Sequence, residues 1–247
     1  ALLDECDAAE TEEVSKWLNE GADPTIQDLD GWNALFWAIG KRHPDKRVKT
    51  LKVVCEAILR NRNPKTGEKY QNGGHLRFFD CERNSLDGIR RTAMHWAAMD
   101  NQAVHCRVMK EMEDEVVGHQ SIGSILNVGD SIGESPLMAA ISSRSDCTDS
   151  VKMLIDLGAD CEQRMKSIHG EADKRKSKEY VEGHSFNYTP LHFAVLYLRE
   201  NGVEVLKRML PRCSRELLRE VAERKPENFA SDLRYEEEAF RVRSAKE

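Results

Sequence analysis

The chain has 247 residues, of which 40% are hydrophobic and 32% charged, and its 37 Lys and Arg against 43 Asp and Glu leave a net charge of −6. This balance is typical of a folded protein with a large water-exposed surface and argues against a disordered chain. No apolar run reaches the roughly 18 residues of a membrane span, and the acidic N-terminus is unlike a signal peptide. We therefore expect a cytoplasmic or nuclear protein, without a membrane span, in a reducing compartment.

Four stretches along the chain share one frame, at residues 28–39, 87–98, 130–141 and 184–195. In each, a turn-forming segment leads to Asn, Ser or Thr, then Ala or Pro, then Leu or Met, with Ala three residues further on. Asn, Ser and Thr accept hydrogen bonds from the first turn of a helix, and proline is tolerated at the first helical position. The frame therefore predicts a turn followed by a helix whose N-cap is Asn33, Thr92, Ser135 or Thr189.

A second amphipathic segment follows each frame, at residues 48–59, 104–112, 150–163 and 202–210. Val151, Leu154 and Ile155 have the spacing of one helix face, and Gly158 stands where a helix end favours a left-handed residue. A less regular unit opens the chain and ends in "GAD" at 21–23, which matches "GAD" at 158–160. Each unit is thus predicted to contain a turn and two helices.

The stretch "TPLHFA" at 189–194 resembles the ankyrin repeat signature, and residues 33–38, 92–97 and 135–140 are diverged copies of it. The resemblance implies an all-α ankyrin repeat solenoid, with helix-turn-helix repeats and β-turn fingers, over residues 1–212. About five repeats are expected, at 1–27, 28–63, 84–118, 127–163 and 184–212. It also implies that His95 and His192 are structural and bridge neighbouring turns.

The caps are further apart than the ~33 residues of an ankyrin unit, which indicates insertions. We place these at about 60–79 and 164–184, between a second helix and the next turn, and their Pro, Gly, Asn and charged residues favour mobile loops. Residues 213–247 are predicted to be a C-terminal capping helix, with Ser214 as its N-cap, and a charged tail.

The sequence contains none of the common catalytic or nucleotide-binding motifs GxSxG, HExxH and GxGxxG, and it has no phosphate-binding loop. The seven cysteines include no CxxC, so we expect core residues rather than a zinc site or a disulfide framework. The basic stretch 173–180 is better explained as a solvated loop than as a nucleic-acid or acidic-lipid site. We expect no enzyme activity, cofactor, metal or nucleic-acid partner, and no small-molecule ligand.

The resemblance implies that finger tips and first helices line a concave face that grips another protein. Trp32 and Tyr188 are expected to be exposed at turn tips, with contact against a neighbouring insertion as the alternative. The acidic residues 1–30 and the apolar C-terminal half predict a partner segment that is basic at one end and apolar at the other. The predicted partner-binding residues are Leu29, Asp30, Trp32, Lys41, Ile89, Arg91, Met99, Asp100, Ile132, Glu134, Phe186, Tyr188, Leu196 and Tyr197.

Together these features predict a non-catalytic protein-protein interaction module that acts as a scaffold, adaptor or regulatory subunit. Two alternatives stay open. The chain could be the recognition arm of a larger enzyme whose catalytic domain lies outside it, or a structural component of a large assembly whose insertions clamp its neighbours.

Overall fold

A computed structural model describes residues 1–40, 44–80, 89–117, 124–131, 133–143, 146–165, 188–197 and 202–223. In these ranges every regular element is helical, and an isolated antiparallel bridge joins Phe79 to Thr92. The predicted all-α fold is confirmed. In the described parts of the chain, no helix is long and apolar enough to span a membrane.

The helices come in consecutive pairs. The first members are α1 (Leu2–Ala8), α3 (Ala34–Ala38), α5 (Ala93–Met99), α7 (Pro136–Ser142) and α9 (Pro190–Leu196). The second members are α2 (Thr11–Asn19), α4 (Pro44–Arg60), α6 (Ala103–Val117), α8 (Thr148–Asp156) and α10 (Gly202–Met209). Short 3₁₀ turns at Ile125–Asn127 and Leu210–Arg212 precede α7 and α11, and α11 is Arg215–Glu223.

First helices pack against first helices and second helices pack against second helices, which builds two layers. First helices contact one another from α1 to α3 and from α5 through α7 to α9, while second helices follow one another from α2 through α4, α6 and α8 to α10. One continuous core runs between the layers, with fully buried residues such as Leu35, Met94, Leu137 and Leu191 from the first helices. Each pair needs its neighbours to bury its apolar faces, as expected for a stack of repeats.

The predicted caps begin the first helices. The Asn33 side chain accepts from the Leu35 N–H at 3.0 Å, and that of Ser135 accepts from the Met138 N–H at 3.3 Å. The Thr92 N–H instead donates to His95 Nδ1 at 3.2 Å, and the His95 Nε2 lies 3.0 Å from the carbonyl oxygen of Glu134 in the next finger. The predicted bridge between neighbouring turns is therefore present at His95.

The base of each finger is closed by a backbone hydrogen bond, from the N–H of its first residue to the carbonyl of the residue before the helix cap. These bonds join Asp28 to Trp32 (2.9 Å), Asp80 to Arg91 (3.0 Å), Asp130 to Glu134 (2.8 Å) and Met165 to Tyr188 (2.8 Å). The fingers before α5 and α9 thus carry their extra residues between two ends held as in the short fingers.

This geometry corrects the predicted start of the finger before α5. Asp80 begins the finger before α5, where the repeated frame predicted Asp87. Of the insertion predicted at 164–184 the structure describes only Arg164 and Met165, and the Met165 N–H donates to the Tyr188 carbonyl. Residues 166–187 themselves lie outside the described residues.

The insertion at 60–79 folds back onto the first helix pair. Tyr70 is buried, and its hydroxyl donates to the Ala22 carbonyl at 3.3 Å. The Asn63 side chain donates to the Gly21 carbonyl at 3.1 Å, and the Gly74 N–H donates to the Ile58 carbonyl at 2.8 Å. The segment is a loop, as predicted, and the aromatic ring and these bonds attach both of its halves to the helix pairs.

The C-terminal end of the stack is covered by α11. Ser214 caps it by accepting from the Leu217 N–H at 3.2 Å, as predicted, and Leu217 is buried. Glu220 pairs with Arg164, and its Oε1 lies 3.6 Å from His192 Nε2. The equivalent atom of His95 instead contacts a carbonyl oxygen of the next finger. The side chain of Glu220 thus takes the place of a following finger. The charged tail predicted after α11 lies outside the described residues.

Candidate partner-binding face

The finger before α3 and the residues just before it display two aliphatic side chains to solvent. Asp28 Oδ1 accepts from the N–H groups of Asp30 and Trp32, both at 2.9 Å, and Gly31 turns the chain with a φ of +76°. On this turn Leu29 is 92% exposed, and nearby Ile26 is 63% exposed. Since exposure of Leu29 removes no apolar area from water, the fold itself gains nothing from a leucine at this position.

Three of the four tryptophans lie together beside this finger, and we call Trp32, Trp37 and Trp96 the tryptophan cluster. The ring centroid of Trp32 is 5.2 Å from that of Trp37 and 6.1 Å from that of Trp96, in edge-on arrangements. All three side chains are half-buried. Trp37 comes from α3, Trp96 from α5 and Trp32 from the finger before α3, so the three rings form one partly exposed cluster.

Two carboxylates orient the cluster. Trp37 Nε1 donates to Asp28 Oδ2 and Trp96 Nε1 donates to Asp80 Oδ2, each at 2.9 Å. Burial raises the pKa of Asp80, while hydrogen bonds from the Arg91 N–H and from the Trp96 indole oppose that rise. The two indoles are thereby held in place by the residues that also begin their fingers.

Trp32 differs from its prediction. It is half-buried, with its ring stacked on Phe36 at a centroid distance of 6.0 Å, so the expectation of an exposed turn-tip residue without a packing role is wrong. Its Nε1 is buried and has no hydrogen-bond partner among the described residues. Trp32 is therefore part of the structure of this face as well as of its surface.

Arg91 was also expected to be available to a partner, but it is buried with 6% of its surface exposed. Its Nε lies 3.9 Å from Asp130 Oδ2, and Asp130 is buried as well. The residue joins the finger before α5 to the finger before α7. Its buried position removes it from the accessible surface.

Tyr188 is likewise buried, at 5% exposed, where an exposed turn tip was predicted. Its ring packs on His192 and Phe193, with centroids 5.3 and 6.3 Å away, and shares a small core with Met138. Leu196 and the half-buried Tyr197 border this core, and the Tyr197 ring lies 5.8 Å from Phe193. Tyr188 is therefore part of a small apolar core and is not available on the surface.

The other predicted residues fall into two groups. Asp30 is exposed, and Ile89, Met99, Asp100 and Glu134 are half-buried. Lys41, Ile132 and Phe186 lie outside the described residues. A partner-binding role for any of these positions stays a prediction.

Sequence reasoning missed Ile26, Trp37 and Trp96 as surface residues. Trp37 and Trp96 occupy the same position of the repeated frame, immediately before its alanine, and that recurrence of tryptophan was an available signal. Nothing in the local sequence marks Ile26 as exposed. Among the described residues, no group of three His, Cys, Asp or Glu side chains is placed to hold a metal ion.

Comparison with known proteins agrees with the repeat geometry. A family model described as ankyrin repeats, in three copies, matches residues 54–165, which include α5 to α8. A search of curated proteins finds no match.

Proposed function

We propose that this chain binds a protein partner through its finger and first-helix face, because residues 54–165 match ankyrin repeats, which are generally protein-protein interaction modules. In this role it serves as a scaffold, adaptor or regulatory subunit. The observation that carries the proposal is Leu29, an almost fully exposed leucine on a hydrogen-bonded finger beside three half-buried tryptophans. Tryptophan is among the residue types that dominate binding hot spots.

Charge supports a particular orientation of the partner segment. Residues 1–30 contain ten acids and one lysine, and the exposed carboxylates include Glu12, Glu13 and Asp30. At the other end of the face, Leu196 and Tyr197 border an apolar core. A segment that is basic near the finger before α3 and apolar near α9 would match both ends, and its association would weaken with added salt.

The structure changes the variants that can test this proposal. Trp32→Ala and Tyr188→Ala would empty packed sites, so a lost interaction could reflect unfolding. Leu29→Asp changes an exposed finger residue instead. Val203→Asp is its matched control, because Val203 is a 56% exposed aliphatic residue on α10, in the other layer.

The experiment is quantitative affinity capture with the wild-type chain and both variants, each checked by circular dichroism. We expect a partner that is retained by wild type and by Val203→Asp but lost by Leu29→Asp. Hydrogen exchange on the complex should then show protection of residues 26–37. Equal capture by all three chains would refute binding at this face.

The alternative of an assembly component with clamping insertions receives no support from residues 61–74. Their ordered contacts are made with the chain's own first repeat, through Tyr70 and Asn63. A recognition arm of a larger enzyme would use the same face, so the Leu29→Asp experiment applies to it unchanged.

A further inference from the structure

Two cysteines meet where α11 covers the stack. Cys161 follows α8 and is buried, whereas Cys213 precedes α11 and is partly exposed, and both belong to the same apolar core. The residues next to them are also joined, since the Ser214 N–H donates to the Glu162 carboxylate. Further along, Arg164 pairs with Glu220 through both of its terminal nitrogens. These contacts hold the two chain segments together around the thiols.

The thiols interact with each other as well as with nearby carbonyls. The Cys213 thiol donates to the Met209 carbonyl at 3.3 Å, and the Cys161 thiol donates to the Ala159 carbonyl at 3.8 Å. Hydrogen-bonding interaction with the Cys213 side chain, aided by Arg212, lowers the pKa of Cys161, and the same interaction raises the pKa of Cys213. In contrast, burial raises the pKa of both Cys6 and Cys106 to about 12. Because the thiolate is the reactive form, Cys161 is the more easily oxidised thiol of the pair.

We propose that Cys161 and Cys213 form a reversible disulfide when the chain meets hydrogen peroxide, and that this bond fastens α11 to the last repeats. The Cys161 thiolate attacks one oxygen of the peroxide, the O–O bond breaks, and the sulfur becomes a sulfenic acid while the other oxygen leaves as hydroxide and takes up a proton to become water. The Cys213 thiol then attacks the sulfenic sulfur, the S–O bond breaks, and the departing hydroxyl leaves with the thiol proton as a second water. Overall, two thiols lose two hydrogens and one peroxide becomes two waters.

The bond would act on the element that ends the stack. The described part of α11 is attached through Leu217, through the Arg164–Glu220 pair and through the cap at Ser214. A covalent link one residue before that cap prevents α11 from leaving when these contacts open. Oxidation thus converts a docked helix into a tethered one.

The test treats the reduced full chain with a small excess of hydrogen peroxide and follows it by intact mass and non-reducing peptide mapping. We expect a main product lighter by two hydrogens, with Cys161 and Cys213 in one cross-linked peptide pair, and reversal by dithiothreitol. Cys213→Ser should abolish this product. Cys55→Ser, which changes a fully buried thiol, should leave it unchanged.

A second measurement is hydrogen exchange of residues 215–223, which should slow on oxidation of the wild-type chain and not of Cys213→Ser. A main disulfide between other cysteines, or only oxygen-adduct products, would overturn the proposal. Peptide mapping of the wild-type chain decides this even if the serine variant does not fold.

Discussion

Arg47 gives the sharpest test of how the N-terminal repeats are held together. Its side chain is 1% exposed, yet it is a charged guanidinium. Nη1 donates to the Trp37 carbonyl at 2.6 Å and to the Cys6 carbonyl at 3.3 Å, while Nη2 donates to the carbonyl of Asp7 at 2.5 Å. These acceptors stand near the C-terminal ends of α1 and α3, where helical carbonyls lack partners within the helix.

The variant Arg47→Met keeps much of the side-chain volume and removes every donor. Hydrogen bonds from a charged donor contribute about 1.5–3 kcal/mol each, and removal of one member of a buried charged network costs about 3–5 kcal/mol. Part of this loss is recovered, because the Asp7 carboxylate is half exposed and can be rehydrated. We therefore expect the free energy of unfolding to fall by about 4 kcal/mol.

The assay is equilibrium urea denaturation followed by far-ultraviolet circular dichroism. Arg60→Met is the matched control, since Arg60 is on the same helix, is 70% exposed and pairs with Glu56 in the preceding turn. Exposed pairs of this kind contribute about 0.5 kcal/mol or less. If Arg47→Met lies within about 1 kcal/mol of the wild-type chain, buried hydrogen bonding by Arg47 is not what joins α1, α3 and α4.

Three further predictions concern other parts of the stack. Burial lowers the pKa of His95 to about 4. As the pH falls below the ordinary pKa of about 6.5, His95 takes up a proton in the unfolded chain but not in the folded chain. The free energy of unfolding therefore falls between pH 6.5 and 4. Between pH 7 and 5 the free energy of unfolding should fall by about 2 kcal/mol more in the wild-type chain than in His95→Gln. Glutamine at this position can keep the N-terminal capping contact. Equal losses in the two chains would contradict the prediction. Tyr70→Ala should speed tryptic cleavage after the exposed Lys65 in limited proteolysis, whereas Tyr70→Phe, which keeps the ring, should be cut nearly as slowly as the wild-type chain. Glu220→Ala should lower the midpoint of thermal unfolding and speed hydrogen exchange of α11, because the contacts to Arg164 and His192 are lost; unchanged exchange would show that Leu217 alone holds the helix.

The features that could be predicted from sequence are those set by neighbouring residues. The caps, the proline at the start of α7 and α9, and the spacing of Val151, Leu154 and Ile155 all act within one or two helical turns. The cap of α11 at Ser214 is also local. These features suffice to predict the order of the helices and the ankyrin repeats.

The features that were mispredicted depend on residues far apart in the chain. Asp80 begins a finger because its backbone pairs with Arg91 and its carboxylate binds Trp96, whereas the local pattern favoured Asp87. Tyr188 is buried because Met138, from the preceding repeat, and Phe193 surround it. No local signal marks such burial, since it depends on which repeats adjoin.

Burial of Arg47 is the same kind of case. An arginine in a charged helix is ordinarily solvated, and here it is enclosed because acceptors from α1 and α3 converge on it. Gly40 reflects the same crowding, since a Cβ at that position would come within 2.8 Å of the guanidinium carbon. The roles of Arg47 and Gly40 depend on how the two helix layers pack, which the sequence alone does not show.

Because each finger is closed at its base by the same backbone hydrogen bond, fingers of different length can connect helices at the same spacing. Asp28 and Trp32 are joined across a short turn, and Asp80 and Arg91 by the same backbone bond across a longer one. Since the entropy of closing a loop grows only logarithmically with its length, added residues cost the fold little. The finger before α5 is thus a natural site for grafting a foreign peptide or reporter sequence, with the repeat stack as an unaltered carrier.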